Sequence, residues 1–205
     1  MPLQLEFIIL LKMDFSKGLN VQLATLFGIG RIPGGGTWAS LIVLFIALYE
    51  QNAETASFLA FFTLIIGPNA YRKLTALVES EDPKEYVLDE VIGMGIAISG
   101  VYIFTRIFDQ FSFNFIESLS ATDELFILTF IVFRFFDISK IGPVAWVESN
   151  PNQNAYNRVV GDDIMAALLS IIFVIIFLSV NLCICLLYTS PSPRDSCASR
   201  MPSSA

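Results

Sequence analysis

Histidine does not occur anywhere in this chain. Its absence excludes an imidazole base, a phosphohistidine intermediate and a zinc site built on histidine. Cysteine is nearly missing as well. Cys183, Cys185 and Cys197 all lie near the C-terminal end, so the body of the chain has neither a disulfide framework nor a thiol-based site. Charge is scarce: 15% of residues carry one, against about a quarter in ordinary soluble domains. Any catalysis must rest on carboxylates, lysine, arginine, hydroxyls or a metal held by oxygen.

What is abundant is apolar. Hydrophobic residues make up 55% of the 205, phenylalanine alone occurs 19 times, and mean hydropathy is +0.67. This composition is that of a membrane protein. The opening "MPLQLEFIILLKM" is too short to span and carries Glu6 within its apolar run, so it does not read as a cleavable signal. Five apolar segments follow, at 38–49, 56–67, 91–108, 125–136 and 164–182. A bilayer core takes about 20 apolar residues, with about 17 as the lower limit. The third and fifth segments qualify, and the other three need flanking residues to reach the headgroups. Residues 19–29 read as an interfacial or re-entrant helix. Only helices satisfy their own backbone groups in lipid, so the expected fold is all-α, a polytopic bundle of four to five transmembrane helices.

Charge orients the bundle. If the chain enters its first span from the cytoplasm at Arg31, the cytoplasmic segments hold Lys12, Lys17, Arg31, Arg72, Lys73, Lys84, Arg134, Lys140 and Arg158. The opposite side keeps only Arg106, among several acids. This is the positive-inside pattern. With that topology a glycine-rich stretch, "RIPGGGTWASL", and three acidic clusters emerge on one face.

Asp89 and Glu90 stand at the mouth of a span. Carboxylates there cap the positive helix end, yet apolar neighbours surround this pair, and uncompensated charge at such depth is costly. Arg134, Asp137 and Lys140 follow at steps of three, which on a helix gives neighbouring faces. They read either as a boundary ion pair with snorkelling basic ends or as a metal-binding aspartate beside two phosphate-binding cations. Asp162 and Asp163 precede the most hydrophobic span. One could cap it; two adjacent like charges call for a cation. An acid-rich, histidine-free site suits Mg²⁺ better than zinc.

The ordered set "GGGTWASL", "DPKEYVLDEVIGM", "FRFFDISK" and "GDDIMAA" resembles phosphatidylglycerophosphatase A, a Mg²⁺-dependent bacterial membrane phosphatase family, over about residues 26–182. The resemblance implies hydrolysis of phosphatidylglycerophosphate to phosphatidylglycerol and phosphate, at a cytoplasmic site on the bacterial inner membrane. Carried over residue by residue, it implies Asp89, Glu90, Asp137, Asp162 and Asp163 as Mg²⁺ ligands. Gly36, Thr37, Ser40, Arg134 and Lys140 would contact the substrate phosphate, and Glu90, Arg134 and Lys140 would be catalytic, with Glu90 as the general base. Asp82 stands where the family often has an acid. The chain departs from the pattern at Gly35, at Ile141–Gly142, and at "NAYNRVVG", where bulky Tyr156 and Arg158 replace a glycine-rich approach.

Rival readings are a phosphatase of another lipid phosphate, a cation transporter and a non-catalytic membrane scaffold. A transporter would hold its acids near the bilayer midplane, and a scaffold would not need seven ionisable residues to converge. The Ser/Pro-rich stretch 183–205 is unlike the preceding membrane domain, 1–182. It resembles translated sequencing adapter or a disordered natural tail, and carries no part of the functional reading.

Overall fold

The computed structural model describes residues 18–80, 83–111, 122–148 and 154–189, and these are all-helical apart from their turns. Short α1 (Leu19–Ala24) leads through a left-handed turn at Leu26, Phe27 and Gly28 into a 3₁₀ turn, Ile29–Arg31. The interfacial helix expected over 19–29 is thus six residues of helix and a turn. Gly34, at φ 75°, opens α2 (Gly35–Glu50), because positive φ is open to glycine at little cost. Then come α3 (Glu54–Val78), α4 (Leu88–Phe111), α5 (Thr122–Ser139), one-and-a-half-turn α6 (Pro143–Glu148) and long α7 (Ala155–Thr189). The last helix continues past Cys183, where the composition changes.

Among the described residues, two helices are long and apolar enough to cross a membrane by length and composition, over Leu88–Ile107 and Ala155–Asn181. These contain the two segments that met the length criterion in the sequence. The expected count of four to five is not reached on length and composition, for physical reasons. Helix α2 is short, α3 mixes Asn69, Arg72 and Lys73 into its second half, and α5 carries Asp123, Glu124, Arg134 and Asp137.

Helix α4 is the axle, packing against α2, α3, α5 and α7. Its apolar Ile92, Met94, Ile98 and Val101 are fully buried, along with Phe126 and Phe133 of α5 and Val174 of α7. Close approach depends on small residues, the usual device where lipid removes the hydrophobic drive between helices. A methyl group at Gly95 would lie 2.7 Å from Ala60 Cβ. The outside is apolar too: Phe45, Phe58, Phe61, Ile103, Ile131, Ile172 and Phe177 are exposed. So many exposed large apolar side chains suit contact with a non-aqueous surrounding.

Direction alternates along the chain. A three-residue turn reverses α2 into α3, and Gln51 donates to Asp123 Oδ1 at 2.6 Å at the far end. The N-terminal ends of α2, α4 and α7 therefore meet the C-terminal end of α5 at the other end, where the acids lie.

Candidate active site

Asp89 and Glu90 come from the first turn of α4 and Asp163 from the third turn of α7. Each offers one carboxylate oxygen, and the three oxygens lie within 4.8 Å of one another. Two helices can come this close because α4 has no side chain at Gly93. A Cβ there would sit 2.8 Å from the Phe133 ring and 3.1 Å from Asp163 Cβ. Asp163 is almost fully buried, with 3% exposure.

Asp137 and Asp162 border the same cavity of about 500 Å³ as those three acids. Each has a cation beside it. Asp137 Oδ2 pairs with Arg134 Nη1 at 2.6 Å, and Asp162 Oδ2 with Lys140 Nζ at 3.5 Å. The five acids expected as ligands therefore divide into a group of three and two ion-paired aspartates. Lys140 reaches Asp162 because α5 stops at Ser139, and Lys140 itself is left-handed, at φ 46°. It is not on the helical face that spacing by threes suggests, but swings toward α7.

The glycine-rich stretch is not a loop over the cavity: its residues form the first turns of α2. Gly36 faces Glu90 so closely that an added Cβ would collide with the carboxylate. The Thr37 hydroxyl accepts a hydrogen bond from Arg134 Nη2 at 3.1 Å. Ser40 is fully buried, and its hydroxyl donates to the Gly36 carbonyl at 2.9 Å. Gly36, Thr37, Ser40 and Arg134 stand behind the cavity wall, whereas Lys140 is part of it. Asp82 lies outside the described residues.

Two buried atoms next to the cluster are unfulfilled. Glu90 Oε2 has no donor and Arg134 Nε–H has no acceptor. A buried carboxylate oxygen without a partner costs on the order of 1–3 kcal/mol or more, and charge repulsion within the triad adds to that. An oxygen-only donor set with a spare carboxylate oxygen fits a hard divalent cation such as Mg²⁺. The orphaned guanidinium N–H fits an anion beside it.

Sequence reasoning missed other cavity residues. Lys84 and Arg158 were not among the expected site residues, and Tyr86 had not been singled out, yet all three line the cavity. Tyr86 packs edge-on to Tyr71, and its hydroxyl is buried near that of Tyr156. Burial pushes its ionisation far above the ordinary tyrosine range, helped by neighbouring Tyr156 and Asp89. The signal available was the apolar context of "EYVL", which makes a tyrosine there inward-facing.

These features define a class: a protein all-helical over its described residues apart from turns, with helices long and apolar enough to cross a membrane and a histidine-free acidic site flanked by lysine and arginine. The particular family follows from comparison. The model of the family described as phosphatidylglycerophosphatase A matches residues 22–178, and the chain belongs to that family. A relative from Haemophilus influenzae named phosphatidylglycerophosphatase A is 28% identical over 156 residues, covering 74% of this chain and 84% of that protein. No solved structure matches the chain.

Proposed function

We propose that this protein is a Mg²⁺-dependent phosphatase that hydrolyses phosphatidylglycerophosphate to phosphatidylglycerol and inorganic phosphate. The carrying observation is the meeting of Asp89, Glu90 and Asp163, from two helices far apart in sequence, with oxygens inside 4.8 Å. Family membership over residues 22–178 supports the same reading.

Asp89, Glu90 and Asp163 would hold the metal, with Asp137 and Asp162 close enough to complete its surroundings. When bound, Mg²⁺ supplies a Lewis acid that offsets phosphoryl charge and favours ionisation of water. The chain's own residues do the rest. Lys140 neutralises the phosphoryl oxygens from the cavity wall, and Arg134 adds its positive charge from behind that wall. Water attacks phosphorus in line, and Glu90 takes its proton through the oxygen that has no donor. The bond from phosphorus to the glycerol oxygen breaks, and that oxygen leaves with a returned proton as the free hydroxyl of phosphatidylglycerol. Thr37 holds the Arg134 guanidinium at the required angle.

The site opens at the cytoplasmic rim of the bacterial inner membrane in this reading, and four to five segments cross or enter the bilayer. The basic residues near the site end and the exposed phenylalanines and isoleucines along the helices support it. The acyl chains stay in lipid while the headgroup enters the cavity.

The test is phosphate release from purified full-length protein supplied with phosphatidylglycerophosphate in mixed micelles, with Mg²⁺ or with chelator. Release only with Mg²⁺ is expected. Equal release under both conditions would remove the metal from the reading, and no release would remove the phosphatase. Cysteine-accessibility labelling of the loops in intact cells checks the orientation.

A further inference from the structure

The cavity is larger than a phosphate needs. About 500 Å³ is within the range that holds a whole small molecule, roughly 300–1,000 Å³. Its walls also carry two cations that the hydrolytic step does not use. Arg158 stands four residues before Asp162 on α7, on the same helix face and about one turn (~5.4 Å) nearer the helix start. Lys84 lies on the segment leading into α4, five positions ahead of Asp89. Both line the cavity together with Asp89, Asp162 and Asp163. Lys84 precedes the start of α4, and Arg158 lies near the start of α7.

A second anionic station one helical turn from the first matches a ligand with two phosphates separated by a short linker. We propose that Arg158 and Lys84 bind the phosphodiester of the lipid headgroup while the terminal phosphomonoester occupies the acidic centre, and that this pair sets substrate selectivity. The inference rests on the phosphatase reading and names the substrate feature that reading leaves open. Arginine offers a planar, bidentate donor set suited to a diester phosphate, and lysine adds a mobile point charge. A lipid phosphate whose monoester sits directly on diacylglycerol has one phosphate only and leaves this station unused. Discrimination then comes from unmatched binding at the outer pair, not from chemistry at the inner one.

The test compares full-length protein and Arg158→Ala on two lipids in the same micelles, phosphatidylglycerophosphate and phosphatidate, with Lys84→Ala and Arg158→Lys alongside. The ratio of kcat/KM for the first lipid over the second should fall about tenfold in Arg158→Ala, the size expected for a lost charge-assisted hydrogen bond. The change should sit mainly in KM. Arg158→Lys should recover part of the ratio, and Lys84→Ala should lower it as well. Melting temperature and elution volume show whether each variant is folded. If Arg158→Ala and Arg158→Lys both lose the same factor on the two lipids, Arg158 supports the fold or the chemistry and this proposal is overturned alone. A parent protein that hydrolyses neither lipid overturns the phosphatase reading and this proposal together.

Discussion

Gly36 and Glu90 touch: the first turn of α2 lies so near the Glu90 carboxylate that one methyl group on the Gly36 α-carbon would take the place of a carboxylate oxygen. The glycine here serves a contact rather than a turn. It lets a helix start press against the acid proposed as general base, and the acid's other oxygen is left without a donor.

Gly36→Ala is therefore expected to push the Glu90 side chain away without unfolding α2, since alanine is the better helix former. Turnover should fall at least about tenfold, the loss following from misplacement of roughly 1 Å at a reacting group. Shortening the acid in the double variant Gly36→Ala/Glu90→Asp should restore part of the rate by removing the clash. Steady-state phosphate release and Mn²⁺ titration check this. An alanine variant with unaltered turnover and metal affinity would show that Glu90 can move freely.

The two aspartates of α7 are expected to behave differently although they are adjacent. Asp163 is buried in the triad, while Asp162 is paired with Lys140. Asp163→Asn keeps the shape and removes the charge, so metal affinity should drop at least about tenfold, with turnover falling in step. Asp162→Asn should leave more metal affinity and chiefly raise KM, by releasing Lys140 from its partner. Mn²⁺ affinity by electron paramagnetic resonance, measured on both variants, separates the roles. Equal losses would return Asp162 to the group of direct ligands.

Thr37 and Arg134 are joined across 97 positions of sequence by a 3.1 Å hydrogen bond. A hydrogen bond to a charged group contributes about 1.5–3 kcal/mol, so Thr37→Val should lower kcat/KM by roughly tenfold to a hundredfold. Thr37→Ser should be close to the parent. If Thr37 acts by aiming Arg134, the effects of Thr37→Val and Arg134→Lys will be non-additive in a double-mutant cycle. Additive losses would mean that Thr37 acts on its own.

The acids of this site were legible in the sequence because their position repeats a simple conflict: ionised side chains at the ends of apolar runs. Asp89–Glu90 and Asp162–Asp163 could be placed at one end of a bundle from charge asymmetry alone. The division of labour among them was not legible. Lys140 reaches Asp162 through a left-handed residue after the end of α5, and spacing rules that assume a continuing helix give no sign of that turn. Arg158 was counted for its charge rather than its place, since only the pairing of α4 with α7 brings it over the cavity. The burial of Ser40 was hidden for a similar reason. Ser40 lies in the apolar segment 38–49, and spacing gave no sign that its hydroxyl turns back to the Gly36 carbonyl.

Tyr86 supplies a prediction about pH. Its hydroxyl is buried, and burial, with Tyr156 and Asp89 close by, holds the neutral form. The sign above neutrality follows from linkage. The folded state retains the phenolic proton to higher pH than the unfolded chain, which releases it near the ordinary value of about 10. Stability from this residue is therefore intact below about pH 10 and declines as pH rises further. Tyr86→Phe has no such proton, so its stability relative to the parent should rise with pH above about 10. Thermal unfolding in detergent from pH 7 to 11 measures that difference, and a constant gap across the range would mean that the Tyr86 hydroxyl is open to solvent.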